Sequence, residues 1–426
     1  MKKLISLLVC GLLMIALGPG ITHADEKVDF NGEYRAWAIA EKDRDYNSNA
    51  DDDRNYLSQL FRLSIAFTAN EHVSAHLRAD YSEGVWGQDF NDWSGWASAK
   101  EDNEIGLDRA YVNLNYGIFS ATVGQHWSGS ANYILWDSQT TGATVNIKLP
   151  VLITLHYSKM NENDYVFDEK DYMIDTAGDG VPDTTVDTRD IDFYAANFSY
   201  TNNSFGANLT FAAREDQSAA DLSPWAVGLQ VTTKFGPISL NVEVDQYGGN
   251  QGHLDVVGTQ LFLDASITQN DALNYGLRIL YAPGTDDTTH EVQGSQINAG
   301  AESFTPFGTE GAMLYWPYPQ GYAIGYKLFF DPAGASAGVM AFNPYISYKV
   351  TENLTLYAKV AYLTVQQDDN TNLDSQVVGL AQVDWAMPWF PNTTLSAAYI
   401  YDKPSYDDDT ADDTHSSLIA QLKVTF

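Results

Sequence analysis

Residues 57–69 read LSQLFRLSIAFTA. Leu57, Phe61, Leu63, Ile65 and Phe67 share one parity, and Ser58, Arg62, Ser64 and Thr68 share the other. Successive side chains of an extended strand point to opposite sides of the pleat, so this alternation marks a strand with one apolar and one wet face. After a break at ANE (69–71) the pattern resumes in HVSAHLRADY (72–81), with Val73, Ala75, Leu77, Ala79 and Tyr81 opposing His72, Ser74, His76, Arg78 and Asp80. Upstream, VDFNGEYRAWAIA (28–40) sets Val28, Phe30, Tyr34, Ala36 and Ala38 against Asp29, Asn31, Glu33 and Arg35. From residue 28 onward the dominant period is two and no helical period competes with it, which makes the chain all-β.

The connections alternate as well. Tight ones fall at 69–71, 116–118, 149–150, 201–203, 235–237, 269–271, 351–353 and 389–392. Longer segments rich in Asp and Gly lie near 43–55, 83–104, 127–141, 159–188, 215–223, 248–254, 283–337, 367–374 and 403–414. Eight turns and nine loops imply eighteen strands. Short turns at one end and long acidic loops at the other describe a transmembrane antiparallel β-barrel, with the turns periplasmic and the loops extracellular. One further stretch, GYAIGYKLFF (321–330), also reads as a strand. Counting it would leave the two chain ends on opposite sides, so parity assigns it to the seventh loop. Tyr116, Phe119, Tyr200, Phe205, Phe235, Tyr348, Trp385, Trp389 and Phe390 crowd the tight turns, where headgroups meet hydrocarbon and aromatic girdles form.

The first 24 residues stand apart. Lys2 and Lys3 precede the apolar run LISLLVCGLLMIALG, and Thr22 and Ala24 occupy the small positions of a cleavage site, the layout of a signal peptide spanning 1–24. The barrel would then occupy 25–426. The single cysteine, Cys10, lies within that leader, so neither a disulfide framework nor a thiolate metal site is expected in the mature chain. With 56 acidic against 23 basic residues the formal charge is −33. Such a chain does not suit nucleic acid, whose phosphates demand Lys and Arg.

The last strand, SSLIAQLKVTF, places Leu418, Ala420, Leu422, Val424 and the terminal Phe426 on one face. It resembles the assembly signal of bacterial outer-membrane proteins, and the whole mature chain resembles a porin. IGLDRAYVNLNYGIFSATVGQHW (105–127) resembles the strand–turn–strand unit of alginate-export-type porins, with Gln125 where that group would carry a basic residue after Gly124. The resemblance implies a passive channel for small hydrophilic solutes. Outer-membrane lipid and lipopolysaccharide would surround it, no cofactor would be required, and both a monomer and a homotrimer stay open.

Alternation sorts charge between lipid and lumen. A mid-membrane Arg or Lys facing lipid costs about 2–4 kcal/mol, so basic residues within strands should point inward. Arg35, Arg62, Arg78, Arg109, Lys148, Arg214 and Arg278 are the principal expected pore-lining cations, with Asp80, Glu243 and Asp245 on the same surface. Basic residues outnumber acids there, which would favour anions, unless the charges neutralise one another across the wall. A basic lumen would also suit an exporter of an anionic polysaccharide, and a barrel of this size would suit a sheath around a partner protein. WSGSANYILWDSQTTG (127–142) is too apolar for an exposed loop, so Trp127, Tyr133 and Trp136 become candidates for a constriction, a rim cap or a subunit contact. His126 and Ser128 share a face and are compatible with a dyad, but a lumen His beside a hydroxyl is ordinary pore lining and no hydrolytic activity is expected. Finally, DTAGDGVPD (175–183) spaces Asp175, Asp179 and Asp183 like an Asp-rich calcium loop, while Ala177 and Val186 replace two expected carboxylates. A weak calcium site and a solvated turn are the two readings of that loop.

Overall fold

The computed structural model describes residues 27–43, 53–85, 106–130, 132, 134–161, 173–174, 184–185, 191–216, 222–251, 254–285, 290–293, 338–366, 373–406 and 414–426. The leader at 1–24, the segment 321–330, Tyr133 and the candidate calcium ligands Asp175, Asp179 and Asp183 lie outside the described residues.

Eighteen long antiparallel strands form one sheet that closes on itself. They are β1 (Lys27–Lys42), β2 (Arg54–Asn70), β3 (Val73–Val85), β4 (Gly106–Tyr116), β5 (Phe119–Gly129), β6 (Asp137–Lys148), β7 (Leu152–Asn161), β8 (Ile191–Thr201) and β9 (Phe205–Asp216). The second half comprises β10 (Leu222–Phe235), β11 (Ile238–Gln251), β12 (Leu254–Thr268), β13 (Leu273–Ala282), β14 (Val339–Thr351), β15 (Leu354–Val365), β16 (Leu373–Ala386), β17 (Thr393–Tyr406) and β18 (His415–Thr425). Each strand pairs with its sequence neighbours, and β1 pairs with β18 from Glu33↔Thr425 to Lys42↔Ser416. Closure removes the exposed sheet edges that would otherwise leave backbone groups unpaired in hydrocarbon. Outside the barrel wall, Met173–Ile174 pairs with Thr184–Thr185, and Glu291–Gln293 runs parallel beside the start of β12.

The C-terminus finishes the seam. Gly32 and Phe426 exchange both backbone hydrogen bonds, at 2.8 and 3.0 Å, and the Phe426 ring stacks on Phe61 with centroids 5.8 Å apart. A side chain at Gly32 would meet the Phe426 ring at 2.8 Å, so the terminal aromatic occupies the space that the glycine leaves.

The outward face is apolar nearly all round: Leu77, Val112, Leu155, Leu209, Leu229, Leu261, Leu356, Val360 and Leu418 are exposed. So continuous an apolar surface belongs against lipid. Tyr116, Phe119, Tyr200, Phe205, Phe235, Tyr348, Trp389 and Phe390 are exposed around the short-turn rim as an aromatic girdle. Gly117 and Gly236 sit in those turns at φ +60° and +57°, which a Cβ would disfavour.

One expected loop is instead strand. Gln251 pairs with Leu254, so β11 and β12 form a hairpin through most of 248–254. Gly248 and Gly249 read as loop punctuation in the sequence, but the Trp225 ring fills the space beside Gly248, and Gly249 lies at φ +115° against Ser223. Close approach, not turning, explains these two glycines.

The interior is divided. In the half nearer the long connections, a buried apolar cluster covers much of the inward face of β12–β18 and β1, among it Phe262, Leu280, Val339, Leu363, Leu380, Ile400, Ile419, Trp37 and Ile39, with Gln376, Asp402, His415 and Ser417 buried on the same face. In the same half, the inward positions of β3–β7 are polar: Arg78, Asp80, Arg109, His126, Thr144, His156 and Ser158.

Candidate functional site

The segment between β5 and β6 turns into the barrel. Ile134, Leu135 and Trp136 are 5% exposed or less. Leu135 and Trp136 pack with the inward residues Phe193, Ala195, Ala212, Ala226, Tyr247 and Val256 of β8–β12, while Ile134 joins the apolar arc. Burying each of these three side chains contributes about 1.5–3 kcal/mol, which offsets a good part of the conformational entropy lost in ordering the segment. Asn132 completes the anchor. Its Oδ1 accepts from Gln230 Nε2 at 2.9 Å and Asn241 Nδ2 at 2.8 Å, and its Nδ2 donates to Glu243.

That insertion changes what two expected pore acids do. Glu243 and Asp245 point inward, as alternation requires, but they are 3% and 1% exposed. Glu243 is held by Asn132, and Asp245 lies beside Gly228 in the space that Leu135 also borders. Glu243 holds the segment in place, and the lumen sees neither acid as an open charge.

Across the barrel, an ion network spans five strands. Arg62 of β2 grips Asp80 of β3 with two parallel bonds, Nε to Oδ1 at 2.6 Å and Nη2 to Oδ2 at 2.7 Å. Arg62 also reaches Glu33 of β1 at 3.5 Å and Asp108 of β4 at 3.7 Å. Arg78 pairs with Asp108, Arg35 with Glu33 at 2.7 Å, and Lys423 of β18 with Glu33 at 3.8 Å. Bidentate geometry of this kind favours Arg over Lys. Thus Arg35, Arg62 and Arg78 line the wall as cations already matched by acids.

Asp108 was not visible from parity. Leu107 and Arg109 share parity, yet one is apolar and one charged. A register shift between Arg78 and Ala79 resolves this, turning Leu107 to lipid and Arg109 to the lumen opposite Arg78, with Asp108 reaching Arg78 and Arg62. The mismatch within LDRAY was the available signal.

Arg109 differs from its neighbours. Among the described residues it makes no ion pair, its Nε is buried without a hydrogen-bond partner, and its guanidinium lies 5.7 Å from the centre of the Trp127 ring. The other expected lining cations are scattered. Arg278 meets Asp264 at 3.2 Å and lies 4.5 Å over the Tyr345 ring, Arg214 faces inward opposite Phe193, and Lys148 is exposed at the short-turn rim.

Beside Arg109 a cavity of about 360 Å³ opens on the inner face of β4–β8. A directed hydrogen-bond chain runs along its wall. The Gly124 carbonyl can only accept, so His126 Nδ1 donates to it at 2.8 Å, leaving Nε2 to accept from the Thr144 hydroxyl at 2.8 Å. Thr144 then accepts from His156 Nδ1 at 2.8 Å, and His156 Nε2 accepts from the Ser128 hydroxyl at 3.3 Å. With both rings neutral, the chain sets each imidazole as its Nδ1–H tautomer. Ser128 therefore engages His156, and His126 engages Thr144, so the two residues that share a face in the sequence do not bond one another. Among the described residues no group of three metal-ligating side chains occurs.

No protein-family model matches the sequence, and no curated protein matches it. Solved structures do resemble it. A BenF-like porin from Pseudomonas fluorescens Pf-5 superposes with a TM-score of 0.59 at 12% identity, over 96% of this chain and 100% of that one. Pseudomonas aeruginosa OccK11 (OpdR) gives 0.58 at 8% identity, over 94% of this chain and 96% of that one. OccD3 (OpdP) from the same organism gives 0.55 at 12% identity, over 96% and 93%. Likeness at such low identity is likeness of fold: the chain has the eighteen-stranded architecture of outer-membrane porins.

Proposed function

We propose that this barrel is an outer-membrane porin, a passive channel for small hydrophilic solutes with a modest preference for anions, its short turns facing the periplasm. A closed barrel of eighteen strands is wide enough to enclose an aqueous path. The inserted segment narrows that path, and the polar arc of β3–β7 gives hydrated solutes a wall they can follow past the apolar arc. The observation that carries the anion preference is Arg109, a lumen cation that makes no ion pair among the described residues, beside a network in which Arg62 and Arg78 are each paired with an acid.

The test is electrical. Purified protein in a planar bilayer under a potassium chloride gradient should show a reversal potential on the anion side. Neutralising Arg62, Arg78 and Arg109 together should move that potential toward cations; an unmoved potential would exclude the lumen cations as its source.

A further inference from the structure

We infer that the cavity beside Arg109 is a binding subsite for small, planar, weakly hydrated oxyanions, of which nitrate is the simplest. This rests on the channel reading and adds a resident stop to it.

Three observations point to an anion. First, among the described residues no Asp or Glu lines the cavity, in a chain with 56 acidic residues. Second, the Arg109 side chain lines the cavity and makes no ion pair among the described residues, so its charge is open to an anion there. Third, an amide on the wall is oriented. Asn113 Oδ1 accepts from the Thr122 hydroxyl at 2.8 Å, so its oxygen is committed and its N–H₂ is left to offer. The His126–Thr144–His156 chain bonds internally and presents no negative charge.

The kind of anion follows from the kind of donors. A guanidinium is planar and weakly hydrated, and it matches a flat pair of oxygens with two parallel N–H bonds. The face of Trp127 holds that guanidinium, and aromatic rings present positive edges that tolerate a polarisable anion better than they replace the water around a strongly hydrated one. Sulfate, which is tetrahedral and tightly hydrated, meets neither condition. A flat oxyanion with a few waters fits the volume.

The experiment uses the full-length barrel in planar bilayers with nitrate, chloride, acetate and sulfate in turn. Current carried by nitrate should saturate with concentration, while current carried by chloride rises nearly in proportion. Asn113→Leu, which keeps the bulk and removes the amide donor, and Arg109→Lys, which keeps the charge and removes the planar fork, should each raise the half-saturating nitrate concentration several-fold. A far-ultraviolet spectrum with the wild-type strand signal identifies a variant that has folded. Nitrate current that rises like chloride, saturation equal in acetate or sulfate, or half-saturation that neither folded variant moves would overturn the subsite. A protein that passes no ion at all would overturn the channel reading instead.

Discussion

Two arcs of one inner wall differ in what predominates. From β12 round to β1 an apolar cluster of Phe262, Leu280, Leu363, Ile400, Ile419 and Trp37 is buried as in a soluble core, with a small buried polar group of Gln376, Asp402, His415 and Ser417 beside it. From β3 to β7 they are Arg78, Arg109, His126, Thr144 and His156, held by ion pairs and hydrogen bonds. Both arcs come from strands that alternate, and both present the face away from lipid. The difference teaches that "inward" in a barrel is not a synonym for "wet": what an inward residue must be depends on what covers it.

The contrast breaks most visibly if a charge is moved across it. Ile400→Asp in the apolar arc would bury an unpaired carboxylate at a cost of about 3–5 kcal/mol, and the folded, detergent-resistant fraction should fall sharply. Asn113→Asp in the polar arc, where water and Arg109 are at hand, should leave that fraction near the wild-type level; equal losses would erase the distinction between the arcs. Next in size is the inserted segment that joins them. Replacing Ile134, Leu135 and Trp136 by Ser should release it and raise single-channel conductance several-fold, and a conductance that stays the same would mean that this segment does not limit the path.

Charge partnership inside the polar arc gives a smaller effect with a definite sign. Asp80→Asn frees Arg62 from its bidentate partner, so the reversal potential should move toward anions, with a stability loss of about 1–3 kcal/mol. The double variant Arg62→Gln with Asp80→Asn removes a balanced pair and should leave the potential where it was. Arg109→Gln alone should move it toward cations. If the double variant shifts the potential as far as Arg109→Gln does, pairing does not decide what the solute senses. Least of all, Trp389→Ala on the girdle, 72% exposed, should cost about 1 kcal/mol or less in a denaturant titration.

Much of this was legible before any coordinates. The strands, the eight tight turns and the aromatic girdle follow from period-two patterning and from where aromatics fall, and the last strand ending in Phe426 stood out by resemblance, while its closing contact with Gly32 did not. Three features were hidden for identifiable reasons. The apolar arc lies where AWAIA (36–40), RILYA (278–282) and AAYIY (397–401) become apolar on nearly every position, a sign of burial on both faces that a lipid-versus-lumen sort does not consider. Asp108 was concealed by a bulge that shifts parity within β4. Gly248 and Gly249 looked like a loop because glycine marks both turns and close approaches, and only the Trp225 ring distinguishes them. The lumen charges were the least legible of all: sequence gives their number, whereas the net field depends on which of them meet, as Arg62 meets Asp80 and Arg109 meets no acid among the described residues.

The central claim is that this barrel by itself conducts. Single-channel recording of the purified mature protein in a lipid bilayer, with no other protein present, tests it most directly. The account predicts discrete, long-lived conductance steps that reverse on the anion side of a salt gradient. A silent bilayer containing correctly folded barrel, or steps that reverse on the cation side, would contradict it.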